Sequence, residues 1–117
     1  MLVRMIRHIV LVKWKKDISQ REVELCIERI NHLPDECSLI YNWCSSRAIA
    51  GPDPNNERAH DFCFTFDFRS IAEQAQYIRS SYTVLVHQET LPLVDKERTV
   101  SANMLVEAEP VRVKSQI

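Results

Sequence analysis

Histidines and tyrosines are the side chains of this sequence that could do chemistry. The four histidines are scattered, without a pair four residues apart or a nearby carboxylate at ligand spacing, which argues against a metal site. His60 stands out because it begins the alternating stretch AHDFCFTFDF, residues 59–68. An imidazole titrates near neutral pH, so His60 is a candidate catalytic acid or base. The alternative is a half-buried histidine that only hydrogen-bonds a neighbouring segment.

His8 and Tyr77 are the other two candidate catalytic side chains. His8 lies in the stretch RMIRHIVLVKW and shares one face of a predicted strand with Val10 and Val12. The first and third strands should be antiparallel neighbours, and both histidines lie early in their strands. We therefore expect His8 and His60 at different ends of the sheet unless the strands are staggered. Tyr77 could orient a substrate oxygen, or it could be an ordinary core tyrosine.

Apolar side chains accompany these candidates and would form the walls of a pocket. A mostly apolar pocket with a few aimed polar groups suits a small organic molecule. Tyr82 and His87 follow the second predicted helix and are further polar candidates. The phenylalanines of residues 59–68 are expected to be core, whether or not one of them also walls a pocket. The residues predicted to contact a ligand are Val10, Val12, Phe62 and Tyr82.

Four segments have the β-branched and aromatic composition and the alternation that are typical of strands. They are residues 4–14, 38–49, 59–68 and 98–107. Ser-x-x-Glu capping boxes beginning at Ser19 and Ser70 predict two helices, which end near Pro34 and Ser80. Residues 82–95 are expected to be irregular, with a short broken helix.

The order of these elements, β-α-β-β-α-β, is that of the ferredoxin-like split βαβ unit. It predicts an α+β fold with a four-stranded antiparallel sheet and both helices on one face. The other face is apolar too, and an uncovered apolar face is a liability in a monomer. A second copy of the chain would cover this face, so we expect two sheets to form a homodimeric barrel.

Size and composition fit one domain and argue against several functions. Of the 117 residues, 1–109 are predicted to form the domain and 110–117 a flexible tail. A net charge of −1 without a basic face argues against nucleic-acid binding, and the single glycine argues against a phosphate-binding loop.

The cysteines and the amino terminus predict a cytoplasmic protein. The four cysteines contain no C-x-x-C pair, which favours free thiols in a reducing compartment. The amino-terminal apolar run is too short for a signal peptide, and no stretch approaches the ~20 apolar residues that cross a bilayer.

Three groups of residues carry a resemblance to a known family. They are the run HIVLVKW at 8–14, the run AHDF at 59–62 together with Phe66, and the run SIAE at 70–73 together with Tyr77. Over residues 5–107 the chain resembles the stress-responsive α/β-barrel domain family. The resemblance implies a homodimer whose sheets form a barrel with the helices outside.

One plant member of that family is an enzyme that closes a polyketide by an aldol reaction. Its first-strand histidine, third-strand histidine and helix tyrosine match His8, His60 and Tyr77. Its general base, a histidine just after the second helix, matches Thr83, which cannot act as a base near neutral pH. The family's usual His-Pro-x-His segment is replaced here by Ser80-Ser81-Tyr82-Thr83.

Two functions follow as hypotheses, and a cofactor-free monooxygenase is a third. The first is a homodimeric barrel that binds an aromatic or polyketide-like molecule, with cofactor-free acid/base chemistry such as cyclisation or isomerisation. The second is a non-enzymatic stress-responsive protein whose role is stable assembly, which the altered segment after the second helix favours. A cavity in the barrel would support the first hypothesis. The second predicts an interior filled by Phe62, Phe64, Trp14 and Met104.

Overall fold

The computed structural model describes residues 1–49 and 59–113. The strands are β1 (Val3–Val12), β2 (Tyr41–Arg47), β3 (Phe62–Phe68) and β4 (Val100–Ala108). The helices are α1 (Gln20–Asn31), α2 (Leu33–Glu36), α3 (Ile71–Arg79) and α4 (Ser81–Thr90), with a 3₁₀ turn, Leu91–Leu93, after α4. The strands form one antiparallel sheet in the order β2-β3-β1-β4. The predicted ferredoxin-like α+β fold is confirmed.

The alternation along β1 and β3 gives the sheet a helix-covered face and an open face. In the register of this pair, His8 lies opposite Phe66, and Ile9 lies opposite Thr65. The four β3 phenylalanines are buried in one core cluster with side chains of α1 and α3, so this side is the helix-covered face. The largest fully buried apolar members of that cluster are Phe66, Phe68, Ile30, Leu33, Ile40 and Val12.

The open face carries the other set of alternating side chains. Ile9 lies opposite Ala102, and Leu11 lies opposite Val100, across the β1–β4 pair. Met104 and Val100 of this face are exposed. The alternation that the sequence predicts for the last strand is therefore confirmed, and its apolar side chains point away from the helices.

Both predicted helix starts are confirmed by their capping hydrogen bonds. Ser19 Oγ accepts from the backbone N–H of Glu22, and Glu22 Oε1 accepts from the backbone N–H of Ser19, which completes a capping box. At α3, Ser70 Oγ accepts from the N–H of Glu73, but the Glu73 carboxylate accepts from the N–H of Arg69. The second predicted capping box is therefore only half formed.

Two segments are more helical than the sequence predicts. Pro34 does not end the helical region, because it lies in the first turn of α2, where its missing N–H costs no hydrogen bond. Residues 82–95 are not irregular throughout, because Ser80 caps a further helix, α4. The apolar residues of α4 point in several directions: Val84 is exposed although Val86 is buried. A helical period is therefore hard to detect in this segment.

A bulge in β2 breaks the alternation predicted for the second strand. Asn42 has a positive φ of 57°, and the β2–β3 register shifts at this point. Tyr41 consequently lies opposite Asp67 on the open face, whereas Trp43 stacks on Phe64 at the helix-covered face. Unbroken alternation through residues 38–49 would put Tyr41 and Trp43 on one face. That prediction is wrong, because the irregular residue changes which side the following side chains point to.

Residues 109–113 follow β4 and contact the edge strand β2. The Val111 carbonyl accepts from the N–H of Asn42 at 2.6 Å, and the Val111 N–H donates to Asn42 Oδ1 at 3.0 Å. The Arg112 guanidinium lies over the Tyr41 ring, 4.6 Å from its centroid. Residues 114–117 lie outside the described residues, and the predicted flexible tail at 110–117 stays a prediction.

The structure shows the state of the four cysteines and the character of the helices and of possible metal ligands. Cys26 and Cys37 are buried, Cys44 is exposed and Cys63 is half-buried, and none of the four forms a disulfide. Within residues 1–49 and 59–113, no helix has the length and apolar character needed to cross a membrane. In the same residues, no cluster of three or more His, Cys, Asp or Glu side chains is arranged to hold a metal ion.

Candidate functional site

His8 is held at the helix-covered face by hydrogen bonds that join three elements. Its Nδ1 lies 2.8 Å from Oδ1 of Asn103, the residue directly opposite on β4. The same oxygen accepts a hydrogen bond of 2.9 Å from Nε2 of Gln74 on α3. The half-buried imidazole meets the Phe66 ring edge-on, with the ring centroids 5.3 Å apart. These contacts fix the orientation of a side chain that remains partly exposed.

Tyr77 is a residue of α3, and its ring packs onto the same face of the sheet as His8, with one aromatic ring between them. Its ring centroid is 5.2 Å from that of Phe66 and 5.1 Å from that of Phe68. Phe66 therefore contacts both candidate side chains and separates them. Burial raises the pKa of the Tyr77 hydroxyl well above its ordinary value, and the nearby Cys37 raises it further. The phenol is therefore protonated at neutral pH.

Thr83, which the family resemblance matches to the general base of the polyketide cyclase, lies beside Tyr77. A hydrogen bond joins the two side chains and offsets part of the rise in the pKa of Tyr77. The Thr83 hydroxyl also accepts a hydrogen bond of 2.6 Å from Ser80 Oγ. Thr83 is buried, so the three hydroxyls form a short internal chain that contains no base.

His60 precedes β3 at one end of the sheet, whereas His8 lies near the middle of β1. His8 is paired with Phe66, which is six residues beyond His60 on the chain. This separation is roughly 20 Å along an extended strand. His60 Nε2 donates a hydrogen bond of 2.7 Å to the backbone oxygen of Arg98, just before β4. The structure does not bring the two histidines together, in agreement with the expected antiparallel arrangement.

A cleft of about 520 Å³ opens at the His60 end of the sheet. Its lining includes one carboxylate, Asp61, which accepts from the backbone N–H of Trp14 at 2.9 Å and lies 3.4 Å from Lys13 Nζ. Its apolar lining comes from Trp14, Ile18, Val23, Ile27 and Ala48. Its cationic lining comes from Lys13, Lys15, Lys16, Arg47 and Arg98. Neither His8 nor Tyr77 lines this cleft.

The four predicted ligand-contacting residues are spread along the helix-covered face. Val12 and Phe62 lie opposite each other, fully buried, towards the His60 end. Val10 is half-buried and lies two residues from His8 on the same strand face. The Tyr82 hydroxyl donates a hydrogen bond of 2.8 Å to the backbone oxygen of Arg29 in α1, and burial raises the pKa of Tyr82. Val10 is the member of this set that neighbours His8.

The side chains expected to fill a barrel interior do not share one space. Phe62 and Phe64 are buried against the helices, and Trp14 stacks on Phe62. Met104 is exposed on the open face. The three aromatic side chains lie on the helix-covered face and Met104 lies on the open face, so the prediction that all four fill one interior is wrong.

Sequence reasoning missed Asn103 and Gln74, the two residues that hold His8. The apolar alternation of β4 draws attention to its open-face residues, and Asn103 lies between them. A usable signal was the ferredoxin-like strand order, which places β4 beside β1. The polar residues of β4 then share a face with His8. His87, the other late histidine candidate, is exposed on α4.

The chain has a ferredoxin-like fold in which a histidine of β1, His8, lies between the sheet and the helices. The sequence profile of the stress-responsive A/B barrel domain, Dabb, matches residues 6–104. The chain belongs to this family, which confirms the resemblance given by the three motifs. No curated protein matches the sequence.

Solved structures with the same fold come from plants and bacteria. A hydroxynitrile lyase from Passiflora edulis superposes with a TM-score of 0.76 at 20% identity, covering 87% of this chain and 93% of that one. A dimeric ferredoxin-like protein of unknown function from Thermobifida fusca gives 0.73 at 20%, covering 88% and 92%. A Dabb family protein with a ferredoxin-like fold from Mesorhizobium loti gives 0.68 at 19%, covering 87% and 96%. At these identities the likeness shows the fold alone.

Proposed function

We propose that two copies of this chain form a barrel and that each copy binds a small, largely apolar organic molecule beside His8. The imidazole takes and returns a proton in a lyase, cyclase or isomerase reaction. The observation that carries this proposal is the half-buried imidazole, tied through Nδ1 to Asn103 and set against Phe66. Such a histidine has one nitrogen held in place and one that can exchange a proton.

Proton transfer on a hydroxynitrile or a carbonyl compound fits this arrangement. With a hydroxynitrile, the base removes the hydroxyl proton and a carbon–oxygen double bond forms. The bond to cyanide breaks at the same time, and cyanide leaves with the electron pair. The imidazolium then returns its proton to cyanide, giving hydrogen cyanide and a carbonyl compound. The shared fold of the Passiflora edulis protein, described as a hydroxynitrile lyase, supports testing this reaction first.

The aromatic surroundings of His8 support an apolar or aromatic substrate. Phe66 contacts His8, Tyr77 and Trp43, with ring centroids 5.2 to 5.5 Å apart. We assign Tyr77 to the wall of the site, because its buried hydroxyl is already hydrogen-bonded to Thr83. Orienting a substrate oxygen would require the phenol to leave that partner.

The open face supports the homodimer. Its centre is apolar, and Val100 and Met104 leave about half of their surface exposed, 48% and 52%. Several solved structures of the same fold are described as dimeric. A second sheet packed on this face would remove the exposed apolar surface, which stabilises association by roughly 25 cal/mol per Å² buried.

Stable assembly without catalysis is the second candidate function. The open face favours it, because that face supports a dimer whether or not His8 reacts. The cyclase's general base is also replaced by Thr83, a residue that supplies no base. Under this second function, the hydrogen bonds of His8 would serve only to connect β1, β4 and α3.

The test uses mandelonitrile, an aromatic hydroxynitrile, and follows the release of benzaldehyde above the uncatalysed rate. The expected result is release by the wild-type protein and loss of at least about a hundredfold in His8→Ala, since general acid/base catalysis contributes that much. His60→Ala is the matched control and should keep the activity.

Binding of benzaldehyde is followed in the same variants by amide NMR shifts of β1 and β4. Release that depends on His60 but not on His8 would place the chemistry at the other end of the sheet. If the wild-type protein neither releases nor binds benzaldehyde, the lyase proposal fails and the assembly function takes its place.

A further inference from the structure

We infer that Asn103 holds His8 in the tautomer with the proton on Nδ1, so that Nε2 is the basic atom of the site. Gln74 keeps Asn103 in the orientation that does this. This inference rests on the proposed function for its catalytic meaning, but the tautomer itself is a property of the protein without substrate.

Two nitrogens converge on one oxygen. Asn103 Oδ1 lies 2.8 Å from His8 Nδ1 and 2.9 Å from Gln74 Nε2. An amide NH₂ group can only donate, and an amide oxygen can only accept. With Gln74 donating to this oxygen, the second nitrogen that faces it must carry a hydrogen. His8 Nδ1 is therefore the protonated nitrogen of the neutral ring.

The opposite tautomer requires both amides to turn together. If Asn103 alone turned, its NH₂ group would face the NH₂ group of Gln74, which is a repulsive contact between donors. Turning both would let Asn103 donate to Nδ1 and would move the ring proton to Nε2. The structure has the form in which Asn103 Oδ1 faces both nitrogens, and this form makes Nε2 the basic nitrogen of His8.

The protonation of Nδ1 leaves a lone pair on Nε2. Among residues 1–49 and 59–113, the imidazole of His8 makes no hydrogen bond other than the one to Asn103. Nε2 is therefore the atom able to take a proton from a substrate, and Asn103 is a positioning residue that does not itself react.

The sheet and α3 each hold one part of the hydrogen-bonded set formed by Gln74, Asn103 and His8. Asn103 lies directly opposite His8 across the β1–β4 pair. Gln74 lies three residues before Tyr77, so the two residues occupy neighbouring positions on one side of α3. The helix therefore sets both the orientation of the Asn103 amide and the aromatic wall formed by Tyr77.

The tautomer is measured by ¹⁵N NMR of protein labelled in its histidine rings, with the His8 signals assigned by His8→Ala. In the wild-type protein we expect the hydrogen on Nδ1 of His8. In Asn103→Leu, which keeps the size but removes the acceptor, we expect the proton to move largely to Nε2. Gln74→Ala should give a mixture. Ser101→Leu is the matched control, because it changes an exposed β4 residue on the same face and should leave the His8 signals as they are.

Either of two results overturns the inference: a wild-type His8 with its proton on Nε2, or an unchanged tautomer in Asn103→Leu. Folding of each variant is checked by its amide spectrum, and Asn103→Asp provides a second variant that retains the acceptor oxygen and should retain the Nδ1 proton. If mandelonitrile is a substrate, Asn103→Leu should lose on the order of a hundredfold in kcat, with little change in KM. If His8 carries its proton on Nδ1 but neither the wild-type protein nor any variant is active, the proposed function is disproved and the inferred role of Asn103 in setting the tautomer is kept.

Discussion

Arg7 and Asp67 face each other across β1 and β3 and are joined by two parallel hydrogen bonds, Nε to Oδ1 at 2.8 Å and Nη2 to Oδ2 at 2.9 Å. Asp67 is fully buried, and Asn42 Nδ2 donates a third hydrogen bond of 2.7 Å to its Oδ2. The hydrogen bond to Asp67 raises the pKa of the Arg7 guanidinium. This group of three residues ties β1 to β3 and to the bulge of β2.

Replacing Arg7 by Leu should destabilise the fold strongly. The change leaves a buried carboxylate without its counter-ion, which costs about 3–5 kcal/mol when both partners are buried. Because the Arg7 side chain is 36% exposed, we expect a smaller loss, about 2–3 kcal/mol, in the free energy of unfolding. Urea unfolding at a fixed protein concentration measures it.

The control for that change is Arg47→Leu. Arg47 also makes two hydrogen bonds to one carboxylate, that of Glu24, but both of these side chains are well exposed. The expected loss is below about 1 kcal/mol, as is usual for surface ion pairs. Equal losses in the two variants would show that burial of Asp67 does not decide the energy of its pair.

Replacing Met104 by Lys should break the proposed dimer. Met104 is 52% exposed on the open face and lies opposite Arg7, so the new ammonium group would be buried beside a like charge in the interface. Sedimentation velocity should show a folded monomer.

Ile78→Lys is the matched control for the dimer, since Ile78 is 58% exposed on α3, away from the open face. This variant should sediment as the wild-type protein does. A Met104→Lys protein that remains dimeric would mean that the two chains associate through another surface.

Tyr77 should make stability fall at alkaline pH. Its pKa is raised in the folded state above the ordinary value of 10.0, so above that pH the unfolded chain releases a proton that the folded chain retains. The contribution is fully present below about pH 10 and is lost as the pH rises towards the folded-state pKa. Tyr77→Phe removes this titration. Unfolding free energies measured between neutral and alkaline pH should therefore decline less steeply in Tyr77→Phe than in the wild-type protein. Parallel declines would contradict the raised pKa.

Replacing Thr83 by Val should raise the pKa of Tyr77 further and cost stability. The hydrogen bond from Thr83 is what lowers that pKa, and its loss leaves a buried phenol without this partner. We expect a loss of about 1–2 kcal/mol in unfolding free energy, and tyrosinate absorbance that appears at higher pH. Thr65→Val, a half-buried change on the open face opposite Ile9, should alter neither quantity.

The fold was predictable because its signals are local and consistent with one another. The four strands and the first helix follow from alternation, capping and helical spacing, and their order defines the sheet. The bulge at Asn42 was not predictable, because a positive φ leaves no periodic trace in a short strand. The helix α4 was missed because its apolar side chains point in several directions.

The site was predictable only in part, since a site depends on which residues meet. His8 and Tyr77 were predicted from residue type together with the family resemblance, and the structure places both between the sheet and the helices. Asn103 and His8 are 95 residues apart in the sequence, and no spacing rule connects them. His60 is the same type of residue as His8, but it lies in the connection before β3 and hydrogen-bonds the Arg98 backbone in the connection before β4.

The position of β1 between β3 and β4 also governs how the chain can be made. Val3 lies opposite Ala108, so β1, which precedes the other three strands of this sheet, completes its pairing only with β4, which follows them. Until β4 leaves the ribosome, one edge of β1 has unpaired backbone groups beside an apolar surface, a combination that invites pairing with other nascent chains. The sheet can therefore close only once β4 is available, and a factor that covers this edge of β1 until then should raise the yield of native protein.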